Sequence, residues 1–193
     1  MVRLNEEWIA ALSSSEEGTR AAAAGQIYAA GRMRAEPAIQ RWLQNADFAR
    51  LLGNDPEVNV GLASRPETFA QIREANGWPR LAEVPPEQDA SEFTLRFEGA
   101  TTLDVLTSRD PEGSGAIAKF LSKFGEGVQQ VEFRCSDVNR AAAILRDQFA
   151  VVSIYPEARP GADGTRVNFF LVDGADGEKV LIELYEPAAI RFE

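Results

Sequence analysis

The chain has 193 residues, of which 45% are hydrophobic and 26% charged, a composition typical of a globular protein with room for one ordinary domain and an appendage. Its 30 acidic and 20 basic residues give a net charge of −10, which opposes binding to nucleic acid or to an anionic lipid surface. No apolar run approaches the roughly 20 residues that span a bilayer, and the start lacks the pattern of a secretory signal. We therefore expect a cytoplasmic protein that does not bind membranes.

Cysteine and histidine usage limits the chemistry that this chain can perform. The single cysteine, Cys135, excludes an intrachain disulfide and a zinc site built from several cysteines. It lies on the apolar face of a predicted strand, so we expect a buried core thiol rather than a nucleophile. The chain contains no histidine, which removes the commonest metal ligand and the commonest general base.

The first 54 residues have a helical pattern. Helical spacing of apolar residues predicts three helices, which run around Trp8 to Leu12, from Glu16 to about Arg34, and from Glu36 to Leu52, with Pro37 in the first turn of the third. The second helix is rich in alanine and glycine, so we expect tight packing against a neighbour. This segment faintly resembles one HEAT-type helical hairpin, and a single hairpin cannot form a solenoid. We predict a separate helical segment that offers a surface for a second copy of the chain or for a protein partner.

From residue 55 to residue 193 we predict one domain, in which the order strand, helix, three strands occurs twice, over residues 57–107 and 127–187. The helix of the first copy begins at Pro66, that of the second runs from Val138 to Phe149, and a short helix between Gly113 and Gly125 connects the copies. The predicted strands lie around Val58 to Leu62, Arg80 to Val84, Phe93 to Phe97, Thr102 to Leu106, Val128 to Cys135, Val151 to Tyr155, Arg166 to Val172 and Val180 to Tyr185.

Two of these strands have one apolar face and one polar face. In the stretch GVQQVEFR, Gln130 and Glu132 alternate with valine and phenylalanine, and in KVLIELYEP, Glu183 lies opposite Ile182 and Leu184. If both strands belong to one sheet, Gln130 and Glu183 point into the same concavity.

A resemblance to a known family is carried by three stretches, GEGVQQVEFRCSDVNRAAAILRD, YPEARPGADGTRVNFFLVD and KVLIELYEP. They resemble the second half of a vicinal-oxygen-chelate protein, the superfamily of glyoxalase I, bleomycin-resistance proteins and extradiol dioxygenases, and within it they are most similar to methylmalonyl-CoA epimerase. The resemblance implies an α+β fold in which paired βαβββ modules form an open mixed β-barrel with a cleft. Here the helical segment precedes that barrel.

The resemblance also implies a divalent ion in the cleft, held by a first and a last strand of each module. Matching the strands places Asn59, Asp104, Gln130 and Glu183 at the four ligand positions, so that amides replace both family histidines. Two carboxylates and two amide oxygens favour Mg²⁺, Mn²⁺ or Ca²⁺ over Zn²⁺, Ni²⁺ or Co²⁺. The alternative is that no metal binds and that these side chains line a solvated concave face.

Further candidates for the cleft are Glu132, Arg134 and Tyr185, which lie on the same two strands. Glu132 and Arg134 are suited to holding a ligand carboxylate or to pairing with each other across strands. The stretch AEVPPEQ resembles one that carries an active-site acid in the epimerases, which makes Glu83, together with Glu183, a candidate proton carrier.

Three functions are compatible with these features. The first is binding of a small acyl or carboxylate-bearing molecule in a cleft whose metal site is degenerate. The second is a metal-dependent isomerase (epimerase) or lyase with an all-oxygen site, and the third is a protein-interaction scaffold that acts through the N-terminal helices. The absence of histidine favours the first and third over the second. Analogy at the level of the fold does not choose between those two.

Overall fold

The computed structural model describes residues 6–53, 55–175 and 177–188, so Asn54 at the predicted boundary lies outside the described residues. The helices are α1 (Glu6–Ala11), α2 (Glu17–Trp42), α3 (Ala46–Leu52), α4 (Pro66–Ala75), α5 (Ala116–Phe124) and α6 (Val138–Phe149). The strands are β1 (Val58–Ala63), β2 (Ala90–Arg96), β3 (Thr102–Ser108), β4 (Gly127–Arg134), β5 (Arg159–Pro160), β6 (Arg166–Asp173) and β7 (Lys179–Glu186). None of the helices described is both long and apolar enough to cross a membrane.

The strands form one mixed sheet in the order β2-β3-β1-β4-β7-β6-β5. β1 pairs in parallel with β3, β4 pairs in parallel with β7, and β1 and β4 join the two halves in an antiparallel pair. The first module therefore supplies one half of the sheet and the second module the other. The sheet curls into a half-barrel with helices on its outer face, which confirms the predicted α+β fold.

Helix α2 runs without a break through Pro37, where the sequence predicts the start of a new helix. Its buried residues recur every three or four positions on both sides of the proline: Ala23, Ala24, Ile27, Gly31, Ala35, Ile39 and Trp42. An internal proline costs about 3 kcal/mol, and continuous burial of this apolar stripe offsets that cost. The helix ends at Trp42, and Asn45 caps α3 by accepting hydrogen bonds from the backbone N–H groups of Asp47 and Phe48.

The N-terminal helices and the sheet share one hydrophobic core. α2 packs on the outer face of the sheet, and Gly31 allows a close approach, because a Cβ atom there would lie 2.6 Å from Cγ1 of Val60. Trp42 packs edge-on against Phe48 of α3 and Phe170 of β6, with ring centroids 5.7 and 6.2 Å apart. The predicted boundary at residue 54 thus marks a change of secondary structure within one packed body, and the apolar stripe of α2 is covered by the chain's own sheet.

Two segments predicted as strands, Arg80 to Val84 and Val151 to Tyr155, have irregular backbone. Each donates one backbone hydrogen bond to a neighbouring strand, from Ala82 to β2 at 2.9 Å and from Ile154 to β6 at 2.7 Å. Prolines, which lack the N–H group, flank the first segment. In the second, the Asn168 side chain bonds both backbone groups of the last residue, in place of a strand ladder. The strand prediction is wrong for both segments.

Cys135 lies in the core on the outer side of the sheet, with only 2% of its surface exposed. Burial raises the pKa of its thiol to about 12, because an apolar environment disfavours the thiolate. The prediction of a buried core thiol is confirmed.

Candidate functional site

The concave face of the sheet forms a cleft of about 430 Å³. Its floor consists of the polar faces of β3, β4 and β7, and α5 and the chain between β5 and β6 contribute to its walls. Among the described residues that line it, seven carry carboxyl groups: Glu87, Asp89, Glu92, Asp104, Glu132, Asp163 and Glu183. One lining residue, Arg159, is basic. The cleft therefore has a strongly acidic lining.

The four predicted ligand positions, Asn59, Asp104, Gln130 and Glu183, all line this cleft. In the sheet, Asp104 of β3 and Gln130 of β4 lie on either side of Gly61 of β1. A Cβ atom at Gly61 would lie 2.5 Å from Cγ of Gln130 and 3.0 Å from an oxygen of Glu132. The glycine therefore leaves the space in which the polar side chains meet.

A hydrogen-bond network crosses the floor of the cleft from β2 to β7. The amide nitrogen of Gln130 donates to Oε1 of Glu132 at 2.9 Å and to Oε2 of Glu183 at 2.6 Å. A hydrogen bond between the carboxyl groups of Glu132 and Asp104 favours the protonated form of Glu132, and Asp104 also accepts a hydrogen bond from the Thr94 hydroxyl. The three acids and Gln130 are each at most 9% exposed, so the network satisfies polar groups that are removed from water.

Burial governs the protonation of the carboxyl groups on the floor. It is the main cause that raises the pKa of Glu132 well above its ordinary value, and repulsion from Asp104 and Glu183 adds to it. Burial likewise raises the pKa of Glu183, followed by repulsion from Glu92 and Asp104. The amide of Gln130 acts in the opposite direction on both groups, because it bonds to their ionised forms. These acids therefore keep their protons to a higher pH than carboxyl groups in water do.

Glu92 is a candidate functional residue that the sequence analysis missed. Three strands separate β2 from β7 in the sheet, yet the charge of Glu92 raises the pKa of Glu183, because the curled sheet brings both side chains to the same cleft. Burial, followed by repulsion from Asp104, raises the pKa of Glu92 to about 7. The signal was present in the sequence, since Glu92 alternates with the apolar Phe93 and Leu95 and so lies on the polar face of its strand.

The remaining predicted site residues have different positions. Tyr185 lines the cleft, and burial raises the pKa of its hydroxyl. Arg134 is exposed outside the lining and pairs with Glu57, its NH1 3.2 Å from Oε2. The side chain of Glu83 is also exposed and outside the lining. Glu92, nine residues further along the chain, does line the cleft, and its charge interacts with Asp104 and Glu183 of the floor network.

The floor residues match a divalent metal site only in part. Within the described ranges, no three histidine, cysteine or acidic side chains are arranged to hold a metal ion. The amide nitrogen of Gln130 faces Glu132 and Glu183 and bonds to oxygens that a cation would need. The Oδ1 atom of Asn59 is buried without a hydrogen-bond partner and would suit a hard cation. The donor chemistry is that of a hard cation, but the arrangement does not fit the divalent site that the resemblance implies.

Comparison with known proteins places the fold. No protein-family model and no curated protein matches the chain. The crystal structure of methylmalonyl-CoA epimerase from Mycobacterium tuberculosis does match, with 33% sequence identity and a TM-score of 0.58, covering 72% of this chain and 91% of that one. This chain belongs to the vicinal-oxygen-chelate superfamily. Within the superfamily it is a relative of the methylmalonyl-CoA epimerases.

Two further structures of the superfamily support this assignment. A variant of the Streptomyces coelicolor methylmalonyl-CoA epimerase in complex with 2-nitronate-propionyl-CoA is 30% identical, with a TM-score of 0.57 and coverage of 74% of this chain and 99% of that one. A methylmalonyl-CoA epimerase in complex with methylmalonyl-CoA and NH4+ is also 30% identical, with a TM-score of 0.55 and coverage of 70% and 96%. The resemblance seen in the sequence is thus confirmed for the superfamily, whereas the replacement of the ligand histidines stays a prediction.

Proposed function

We propose that this protein binds a small carbonyl compound in its cleft and exchanges the proton on the carbon next to the carbonyl group, which is the chemistry of an epimerase or racemase. The observation that carries the proposal is the pair Glu92 and Glu183, which line one cleft from strands that three others separate and whose charges interact. The pKa of both groups is raised, that of Glu92 to about 7, so that near neutral pH one can be protonated while the other is ionised. Inversion at a carbon atom requires such an acid and base on its two sides.

The two carboxyl groups would act in sequence. The ionised group removes the proton, the electron pair of the broken C–H bond forms a carbon–carbon double bond, and the carbonyl oxygen becomes an enolate. The protonated group then delivers its proton to the opposite face of the same carbon, which restores the carbonyl group with inverted configuration. Each turnover exchanges the protonation states of Glu92 and Glu183, so the site is ready for the reverse reaction.

The floor network would stabilise the enolate oxygen. The donors are groups that now bond within the network: the enolate oxygen would take the hydrogen bond that the Gln130 amide nitrogen gives to Glu132, or the one that protonated Glu132 gives to Asp104. Both donors are buried, and a hydrogen bond to a developing charge is stronger in such surroundings than in water. No step of this mechanism passes through a metal ion, and binding of Mg²⁺, Mn²⁺ or Ca²⁺ stays a prediction.

The acidic lining of the cleft affects which thioesters can bind there. The likeness to methylmalonyl-CoA epimerases makes an acyl thioester the first candidate. The carboxyl groups of the lining outnumber its one guanidinium, and those that are ionised repel the phosphates of coenzyme A, so a thioester that lacks the nucleotide should bind at least as well.

The test is incorporation of deuterium from D2O into two probes, methylmalonyl-CoA and the methylmalonyl thioester of N-acetylcysteamine, measured by mass spectrometry with and without added Mg²⁺. Glu92→Gln and Glu183→Gln should each slow exchange by roughly a hundredfold to ten-thousandfold. The control Glu98→Gln, at an exposed position beyond the end of β2, should leave the rate unchanged. Exchange of both probes no faster than without protein would contradict the proposal.

A third variant, Glu83→Gln, tests whether Glu83 or Glu92 carries the proton. If Glu92 is the acid, Glu83→Gln exchanges at the parent rate, because its side chain lies outside the cleft lining. Loss of exchange in Glu83→Gln with exchange retained in Glu92→Gln would instead support the assignment made from the sequence.

A second function, binding of the same class of molecule without turnover, is favoured by the Gln130 contact. An amide nitrogen 2.6 Å from Oε2 of Glu183 stabilises the carboxylate and makes it a weaker base. In that case the thioester probes raise the melting temperature of the protein, because they bind the folded state alone, while deuterium exchange stays at background.

A further inference from the structure

Two segments that lie next to opposite ends of the sheet contact each other across the mouth of the cleft. Residues 80–88 precede β2, at one end of the strand order, and residues 161–164 follow β5, at the other end. Both segments line the cleft, through residues such as Ala82 and Gln88 on one side and Gly161 and Ala162 on the other. Their contact therefore closes the half-barrel over its own concave face.

The contact centres on one aspartate. Arg80 and Asp163, 83 residues apart in the chain, form a two-pronged ion pair with NH1–Oδ1 and NH2–Oδ2 distances of 3.1 and 2.6 Å. Oδ1 of Asp163 also accepts a hydrogen bond from the N–H of Glu83 at 2.9 Å, and its own N–H donates to the Glu83 carbonyl at 3.0 Å. Beside it, the Gln88 side chain donates to the carbonyl of Pro160.

Two features of this contact make it easy to release. Asp163 has a φ of 51°, in the left-handed region that favours glycine, so its closed conformation is held at a cost. The side chains of Arg80 and Asp163 are 68% and 41% exposed, and an ion pair open to water is weak and is screened by salt. Breaking the ion pair therefore costs little free energy.

We propose that the Arg80–Asp163 contact is a latch: when it is closed it holds residues 161–164 across the cleft mouth, and its release admits the ligand. Val167 lies directly beneath this segment and is only 3% exposed. A Cβ atom on Gly161 would lie 2.6 Å from Cγ1 of Val167, which shows how closely the segment covers it. Val167 should become accessible to solvent when the latch opens.

The test uses Val167→Cys in the full chain as a reporter, with the rate of thiol labelling measured at fixed pH and low ionic strength. Cysteine is close to valine in size, so the replacement keeps the packing beneath the segment. The native thiol of Cys135 labels slowly in comparison, because it is buried in the core and its pKa is about 12. Labelling of the reporter therefore measures opening of the cleft mouth and needs no substrate.

Latch variants are compared in this reporter background with a matched control. Arg80→Gln and Asp163→Asn should each raise the labelling rate about 1.5-fold to fivefold, because each removes the ion pair. The control is Arg146→Gln, which breaks an equally exposed pair, Arg146 with Asp147, outside the cleft lining and should leave the rate unchanged. Unchanged rates in the latch variants, or an equal rise in the control, would overturn the proposal.

Salt provides a second measurement for the case in which a latch variant fails to fold. Raising ionic strength from about 0.05 M to about 0.5 M shortens the screening length, and it should speed labelling of the Val167→Cys protein but not of variants that lack the pair. A labelling rate of the reporter protein that does not respond to salt overturns the latch. Because neither measurement involves turnover, failure of the latch and failure of the proposed proton exchange are separate results.

Discussion

The two faces of strand β4 differ in chemistry although they are equally buried. On the outer face, Val131 and Phe133 lie in the shared core, whereas on the inner face Gln130 and Glu132 belong to the floor network. Burial of apolar surface stabilises the fold by roughly 25 cal/mol per Å², while burial of a carboxyl group costs free energy unless the group is neutral or hydrogen-bonded. The outer face therefore stabilises the protein, and the inner face holds acids whose pKa is raised at the expense of stability.

The largest expected effect tests the outer face. Trp42→Ala should lower the free energy of unfolding by about 3–5 kcal/mol, because the ring joins α2 to α3 and to β6. Met33→Ala, at an exposed position of the same helix, should change it by less than about 0.5 kcal/mol. Both are measured by denaturant unfolding. If Trp42→Ala produced two transitions, one for the helices and one for the sheet, the shared core would not be the unit of stability.

The pH dependence of stability tests the inner face. The folded-state pKa of Glu92, about 7, lies above the ordinary value of 4.5, so between these values the folded protein binds more protons than the unfolded chain. The free energy of unfolding should therefore fall as pH rises through this window, by about 2 kcal/mol from pH 5 to pH 8, and Glu132 and Glu183 act in the same direction.

Glu92→Gln should flatten part of this dependence, since glutamine does not titrate. Denaturant unfolding of both proteins at several pH values between 5 and 8 gives the comparison. Stability that is constant, or that increases with pH in the parent protein, would show that the floor acids ionise in the folded state as readily as in water.

A smaller effect is expected from introducing imidazole ligands on the inner face. The double change Asn59→His with Gln130→His should raise zinc affinity at least tenfold, about 1.4 kcal/mol, because imidazole suits Zn²⁺ better than an amide oxygen does. Competition with a chromophoric chelator measures the affinity, and each single change serves as the control. A parent protein that keeps stoichiometric zinc through a chelator wash would refute the prediction of a degenerate site.

Local sequence patterns determined a large part of the fold and the centre of the site. Alternation along β4 and β7 placed Gln130 and Glu183 on the polar faces of their strands, and pairing of the two strands in one sheet brings the side chains together. Helices α4 and α6 were predicted to begin at Pro66 and Val138, where the structure begins them, since a helix start depends on residues within one turn.

The tertiary structure alone decided features that depend on distant parts of the chain. Helix α2 continues through Pro37 because the sheet buries its stripe on both sides of the proline. Glu92 faces Glu183 because the whole sheet curls, and curvature summed over several strands is not written in any one of them. The Arg80–Asp163 pair likewise joins residues 83 positions apart. Local sequence patterns determine which side chains share one face of a helix or strand, whereas long-range packing determines which of these faces contact each other.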